Sequence, residues 1–75
     1  MRRRMSKEKL IAFLINTRKE NDITQAQLAK KLNRPQSFVS KYETGERNLD
    51  FVEVIEVFEG LGADPIEQIT RMYRG

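Results

Sequence analysis

The sequence predicts an all-α protein built from five short helices. Apolar residues recur at intervals of three and four along most of the chain, which places them on one face of a helix. Residues that favour helix ends separate these stretches at Asn21, Asn33, Gly45 and Gly62. The sequence shows no strand-like alternation, internal repeat or low-complexity tract.

Capping residues define the first two helices. Ser6 can cap helix 1, which ends at Asn21 and carries a core-facing stripe of Leu10, Phe13, Leu14 and Thr17. Thr24 caps helix 2, and Gln27 three residues later completes a capping box. Its predicted buried side is Leu28, Ala29 and Leu32. Asn33 then ends the helix, since Asn tolerates the left-handed backbone conformation.

Helix 3 is predicted to run from Gln36 to Thr44. Pro35 suits its entry because a backbone N–H is not needed there, and Gly45 ends it. The inward residues are predicted to be Val39 and Tyr42, with Phe38 at the margin of the core.

Helices 4 and 5 also begin with capping signals. Asp50 with Glu53 resembles a capping box, and Asp64-Pro65 opens helix 5. The predicted apolar side of helix 4 comprises Phe51, Val54, Ile55, Phe58 and Leu61, with Val52 and Val57 lying off it. In helix 5 we expect Ile66, Ile69 and either Met72 or Tyr73 to face inward. The acids of helix 4 favour a charged outer face over a metal site: Glu53, Glu56 and Glu59.

Length and composition narrow the class of protein. Seventy-five residues suit one small domain, here residues 6–75, preceded by a basic arm at residues 1–5. The Arg2–Arg4 run either follows DNA phosphates or is a frayed terminus. Cysteine and histidine are both absent, so we expect no disulfide, no metal site and no cofactor. No apolar run reaches the length of a membrane span, and we expect a cytoplasmic protein.

The charge is distributed unevenly along the chain. Residues 1–48 carry a net charge of +7 and residues 49–75 a net charge of −4. The first part therefore suits a polyanion, whereas the second does not. The first part also contains polar side chains on the face of helix 3 that the core does not need: Gln36, Ser37, Ser40 and Lys41. Such an exposed polar helix is what reading base edges in the major groove of DNA requires.

Several short motifs within residues 24–45 occur in the order of a known family signature. They are Thr24-Gln25, Leu28-Ala29, Gln36-Ser37, Val39-Ser40-Lys41 and Glu43-x-Gly45. The chain thus resembles the phage-repressor-like (Xre-type, lambda-repressor-like) helix-turn-helix family from about Leu10 to Ile69. The resemblance implies a five-helix domain in which helix 3 enters the major groove while helix 2 crosses the DNA backbone.

The resemblance also implies roles for individual residues. The base readers would be Gln36, Ser37 and Lys41, with Ser40 near the groove. Gln can pair twice with adenine, Lys can donate to guanine, and Ser suits either base. Phosphate contacts would come from Gln25, Arg34, Arg47 and Asn48. Arg18 and Glu43 match an ion pair that joins helix 1 to helix 3 in this family.

Two positions depart from the family pattern. The family often has glycine where Asn33 stands, but Asn can adopt the same backbone conformation. A small residue, Ser or Thr is common where Pro35 stands, so a side-chain cap on helix 3 is missing. The departures affect the entry of helix 3 but not its existence.

The function that this resemblance implies is sequence-specific binding of double-stranded DNA. We expect a transcriptional repressor acting as a homodimer on a palindromic operator, with the helix 4–5 region as the dimer surface. The alternative is an antitoxin or accessory module that holds a partner protein. An enzyme is the weakest class, because the chain has no His, Cys or Gly-rich phosphate loop.

Overall fold

Five α-helices make up the part of the chain that the computed structural model describes, residues 5–75. They are α1 (Lys7–Glu20), α2 (Gln25–Lys31), α3 (Gln36–Glu43), α4 (Phe51–Gly60) and α5 (Pro65–Arg74). These bounds confirm the predicted all-α fold and the order of its elements. The predicted basic arm at Arg2–Arg4 lies outside the described residues.

Side-chain caps begin four of the five helices, as the sequence predicts. The Ser6 hydroxyl accepts from the Lys9 N–H, and complete capping boxes precede α2 and α4. The Asp64 carboxylate accepts from the Ile66 N–H at the start of α5. Pro35 begins α3 without a side-chain hydrogen bond. The missing cap on α3 is therefore real, and α3 forms without it because its inward face packs against the core.

The turns use residues that tolerate a left-handed backbone. Asn33, between α2 and α3, has a φ of 58°, and Gly45, after α3, has a φ of 85°. The turn from α2 to α3 is closed by a 2.9 Å hydrogen bond from the Arg34 N–H to the Ala29 carbonyl. The α2–turn–α3 unit is thereby fixed by its own backbone as well as by packing.

The hydrophobic core lies between the five helices. Its main cluster of buried residues comes from α1 to α4 and the residue that follows α4: Leu14, Leu28, Ala29, Phe38, Val39, Tyr42, Val54, Val57, Phe58 and Leu61. Helix α5 adds the buried Met72. Gly60 allows α4 to approach α2 closely, since a Cβ there would lie 2.8 Å from Leu32 Cδ2. The rings of Phe13 and Phe58 pack edge to face with centroids 6.1 Å apart. The core thus holds α2 against α4 and α3 against α1.

Four predictions of core residues are wrong. Phe51 and Ile66 are 73% and 69% exposed, although both were expected to face inward. Val57, expected off the apolar stripe, is fully buried. Helix α4 is apolar on more than one side, so periodicity alone does not decide which side meets the core. Phe38 is also buried within the core rather than at its margin.

In α5, the inward residue of the pair left open is Met72, which is buried, whereas Tyr73 is exposed. Glu53 is a further correction, since it is 7% exposed and does not belong to the charged outer face of Glu56 and Glu59.

Within residues 5–75, no helix is long and apolar enough to cross a bilayer. The same residues hold no cluster of three or more acidic side chains placed to bind a metal ion.

Candidate nucleic-acid interface

The outward face of α3 carries the side chains that the sequence analysis expects to read bases. Gln36, Ser37 and Lys41 are exposed, and Ser40 is half-buried. The opposite face of the helix holds Val39 and Tyr42, both fully buried. The core therefore holds α3 in place while its polar face stays open to a ligand.

These side chains offer a mixed set of hydrogen-bonding groups. The Gln36 amide can donate and accept together, which matches the N6 and N7 edge of adenine. The Lys41 ammonium can donate to the acceptors of guanine. Ser40 donates to the Ser37 carbonyl at 3.3 Å, within the helix itself. The arrangement suits recognition of base edges through donors and acceptors.

A buried ion pair joins α1 to the last residue of α3. Arg18 Nε lies 2.7 Å from Glu43 Oε2, and Arg18 Nη2 donates to Glu43 Oε1 at 3.1 Å. Arg18 Nη1 also donates to the Ile23 carbonyl at 2.8 Å, just before α2. The hydrogen bond to Glu43 raises the pKa of Arg18 above its ordinary value. This fork-like geometry fixes the relative position of the two helices.

Gln25 belongs to the same network. Its Nε2 donates to Glu43 Oε1 at 2.8 Å, and the side chain is half-buried at the start of α2. The Gln25 amide, expected at a phosphate, is thus connected in the free protein to the carboxylate that Arg18 also holds.

Arginine side chains cover the Phe38 ring at the start of α3. The guanidinium carbons of Arg34 and Arg47 lie 4.3 and 4.7 Å from the ring centroid. Both distances are within the range of a cation–π contact. Arg34 comes from the turn before α3 and Arg47 from the loop after it. Two of the four residues expected to contact phosphates therefore lie against one aromatic ring of α3, the helix expected to read bases.

Glu53, in the first turn of α4, holds both guanidinium groups. Arg47 donates to its two carboxylate oxygens at 3.0 and 2.9 Å, and Arg34 Nη2 lies 3.4 Å from Oε2. Glu53 Oε1 also accepts from the Asp50 N–H at 3.0 Å as part of the capping box. The hydrogen bonds from Arg47 and Asp50 lower the pKa of Glu53. The carboxylate is therefore ionised at neutral pH beside the two cations.

The start of α1 reaches the end of α3. Lys7 Nζ donates to the Gly45 carbonyl at 2.7 Å, immediately after the reading helix. A cation at this point also suits the partial negative charge at a helix C-terminus. Together with Arg18 and Glu43, this contact ties α1 to α3 at two places.

The Tyr42 hydroxyl is buried behind the reading face. Its oxygen has no hydrogen-bond partner among the described residues. Burial raises the pKa of this hydroxyl well above its ordinary value. The Tyr42 ring packs edge to face against Phe38 with centroids 5.7 Å apart.

Comparison with known proteins places this geometry in a family. A family model described as Helix-turn-helix matches residues 14–68, well over half of the chain. The chain belongs to the Xre-type helix-turn-helix family. The solved structure of an XRE-family like protein from Pseudomonas syringae pv. tomato str. DC3000 is 41% identical, with a TM-score of 0.84. The match covers 88% of this chain and 80% of that protein.

Two more distant solved structures share the fold. The restriction-modification controller protein C.Esp1396I, solved as a tetramer with its natural 35 base-pair operator, is 24% identical with a TM-score of 0.83. The match covers 91% of this chain and 90% of that one. The clp gene regulator ClgR from Corynebacterium glutamicum is 21% identical with a TM-score of 0.77, covering 95% of this chain and 76% of that one. No curated protein is significantly similar to the chain.

The helix-turn-helix is formed by α2, the turn at Asn33 and α3, and its family is one of DNA-binding transcriptional regulators. Around it the structure separates the predicted phosphate contacts into two groups. Arg34 and Arg47 meet at Phe38, with the exposed Asn48 next to Arg47, whereas Gln25 lies at Glu43. The role of Glu53 in joining the arginines was not predicted from the sequence. The capping box of Asp50 and Glu53 is visible in the sequence, but it does not indicate that Arg34 and Arg47 contact Glu53.

Proposed function

We propose that this Xre-type protein is a sequence-specific transcriptional repressor that acts in the cytoplasm as a homodimer on a palindromic operator. The observation that carries the proposal is the outward face of α3, where Gln36, Ser37 and Lys41 are exposed on a helix anchored by buried residues. An exposed polar helix of this kind can enter the major groove without rearrangement of the core.

The charge of the chain supports the same proposal. The part that contains the helix-turn-helix, residues 1–48, carries a net charge of +7. Phosphate contacts supply much of the affinity of DNA-binding proteins and fix their register on the duplex. Arg34, Arg47 and Asn48 flank the reading helix and are the candidates for such contacts, with Gln25 at the start of α2.

The dimer surface is proposed on the outer side of α5. Ile66 and Tyr73 are 69% and 52% exposed and lie seven residues apart, so they share one face of that helix. Ile69, Thr70 and Tyr73 line a surface depression on the same side. The exposed Phe51 and Val52 at the start of α4 add apolar surface in the acidic part of the chain. A repulsive acidic surface would keep this region away from DNA.

The proposed function is tested by selecting bound sites from a random duplex pool. We expect a palindromic consensus with half-sites about one DNA turn apart, because two copies of α3 must enter successive major grooves. Recovery of sites with no consensus would contradict sequence-specific binding, and a single unrepeated half-site would contradict the homodimer.

The dimer surface is tested separately by sedimentation at increasing concentration. We expect Ile66→Glu to shift the protein toward the monomer, because a buried carboxylate opposes association. Ala12→Glu, which adds the same charge at an exposed position of α1, serves as the matched control. A wild-type monomer that instead forms a stable one-to-one complex with the product of a neighbouring gene would favour the antitoxin or accessory role.

A further inference from the structure

The Glu53 carboxylate forms ion pairs with two arginines beside α3, the helix proposed to read bases. Glu53 lies 2.9 Å from Arg47 and 3.4 Å from Arg34, and its side chain is 10% exposed. The side chains of Arg34 and Arg47 are 35% and 39% exposed, so part of each remains open to solvent. Arg34 Nη2 also lies 3.8 Å from the exposed carboxylate of Glu56. Glu53 is the acid that both guanidinium groups share, and it is much less exposed than they are.

The cluster also has a fixed shape. Both guanidinium groups lie against the Phe38 ring, with their carbons 4.3 and 4.7 Å from its centroid. The Phe38 side chain belongs to α3 and is itself buried. Arg47 Nη1 donates in addition to the Asn48 carbonyl at 3.1 Å. Because their contacts run to Glu53 and to the ring, both arginines are held in one place relative to the base-reading side chains.

We propose that Glu53 limits sequence-independent binding by restraining the attraction of Arg34 and Arg47 to phosphate. The inference rests on the proposed function and assigns a regulatory role within the same surface. Arginine–phosphate contacts are independent of sequence and strengthen binding to every duplex. A carboxylate that partly neutralises both arginines therefore weakens this sequence-independent contribution to the binding free energy. Stable binding then depends more on the hydrogen bonds that Gln36, Ser37 and Lys41 make to the correct bases.

The geometry favours this role over a purely structural one. The capping box of α4 needs an acceptor at position 53, but a neutral amide supplies it, as Gln27 does in α2. The negative charge of Glu53 is therefore not needed for the cap. Its charge acts on the two arginines, and these flank α3 at positions suited to a phosphate contact.

The test compares Glu53→Gln with the wild type on the selected operator and on a random duplex, across a series of salt concentrations. At ~0.1 M salt we expect the variant to bind the random duplex about fivefold to tenfold more tightly, and the salt dependence to steepen by about one contact. Binding to the operator should tighten by a similar factor, so that the ratio of the two affinities stays unchanged, because phosphate contacts carry no sequence information. Glu59→Gln removes the same charge from an exposed position of α4 and should change both duplexes equally, by less than about twofold.

A second variant separates charge from geometry and protects the test against misfolding. Glu53→Asp keeps the charge but withdraws the carboxylate from both guanidinium groups and from the Asp50 N–H. We expect an affinity for the random duplex between those of the wild type and Glu53→Gln. Thermal unfolding of each variant shows whether it is folded before its binding is compared.

Defined outcomes would overturn the inference. Unchanged affinity and salt dependence on the random duplex in folded Glu53→Gln would show that the carboxylate does not restrain the arginines. A parallel loss on both duplexes would assign Glu53 a structural role only. A wild-type protein that selects no consensus would remove the proposed function and the inference together, whereas a clear consensus with unchanged Glu53→Gln removes the inference alone.

Discussion

Arg18 and Glu43 form a two-point ion pair across twenty-five residues of sequence, with Arg18 Nε 2.7 Å from Glu43 Oε2. The side chains are 11% and 6% exposed, so neither charge is well hydrated. Removing one partner of such a pair leaves the other charge buried without compensation. The pair is therefore a sensitive point for the stability of the domain.

Glu43→Gln should lower the free energy of unfolding by about 3 kcal/mol, because the Arg18 charge would lose its partner. Glu46→Gln removes the same charge from an exposed loop and should change stability by less than about 0.5 kcal/mol. Urea denaturation followed by circular dichroism measures both variants. Similar stabilities for the two variants would contradict the structural role of the pair.

Gln36→Ala should weaken binding to the selected operator by about 1–3 kcal/mol, because a bidentate contact to one base would be lost. Binding to a random duplex should stay unchanged. Fluorescence anisotropy with both duplexes measures the difference, and Asn16→Ala removes an exposed amide from α1 as the control. Equal losses on the two duplexes would remove Gln36 from the base-reading set.

Arg34→Gln should instead weaken binding to all duplexes alike and flatten the salt dependence by about one contact, because phosphate contacts carry no sequence information. Arg71→Gln, at an exposed position of α5, is the matched control and should leave the salt dependence unchanged. Titrations at several salt concentrations give the slopes. A loss confined to the operator would mean that Arg34 reads a base.

Tyr42→Phe should leave stability unchanged or raise it by about 1 kcal/mol, because the buried hydroxyl has no hydrogen-bond partner. Tyr73→Phe removes an exposed hydroxyl and should have an effect of less than about 0.5 kcal/mol. Chemical denaturation measures both variants. A marked loss of stability in Tyr42→Phe would reveal a partner for the hydroxyl, such as a bound water molecule.

The stability of the wild type should fall in acid partly because of Glu53. Hydrogen bonds from Arg47 and Asp50 lower the pKa of this carboxyl in the folded state. Its contribution is complete above the unfolded-state pKa of about 4.3 and is lost as the pH falls through the lower folded-state value. Glu53→Gln should therefore lose less stability than the wild type between about pH 4.3 and the folded-state pKa. Denaturation curves at a series of pH values measure this, and identical pH profiles would contradict it.

Local signals in the sequence predicted the helix starts and ends well. The capping boxes at Thr24 and Asp50 and the left-handed Asn33 depend on residues only a few positions apart, so the sequence shows them directly. The orientation of the last two helices was less accessible. Phe51 and Ile66 are apolar yet exposed, because the choice between two apolar sides of a helix is made by the elements that pack against it.

The candidate site shows the same division. The polar face of α3 follows from the spacing of Gln36, Ser37 and Lys41 within one helix. The cluster at Glu53 does not, because Arg34 lies nineteen residues earlier in the chain and reaches the carboxylate only because α2 packs against α4. The Arg18–Glu43 pair, which is also non-local, was predicted only through the family resemblance, and the motifs that carry the resemblance do not include Glu53.

The carboxylate of Glu43 accepts hydrogen bonds from both Arg18 and Gln25, so one side chain links three helices. We expect those helices to keep their mutual orientation when the protein meets a duplex, and little ordering entropy to be lost on docking. The heat capacity change on association should then match the area removed from water, without the excess that coupled folding adds.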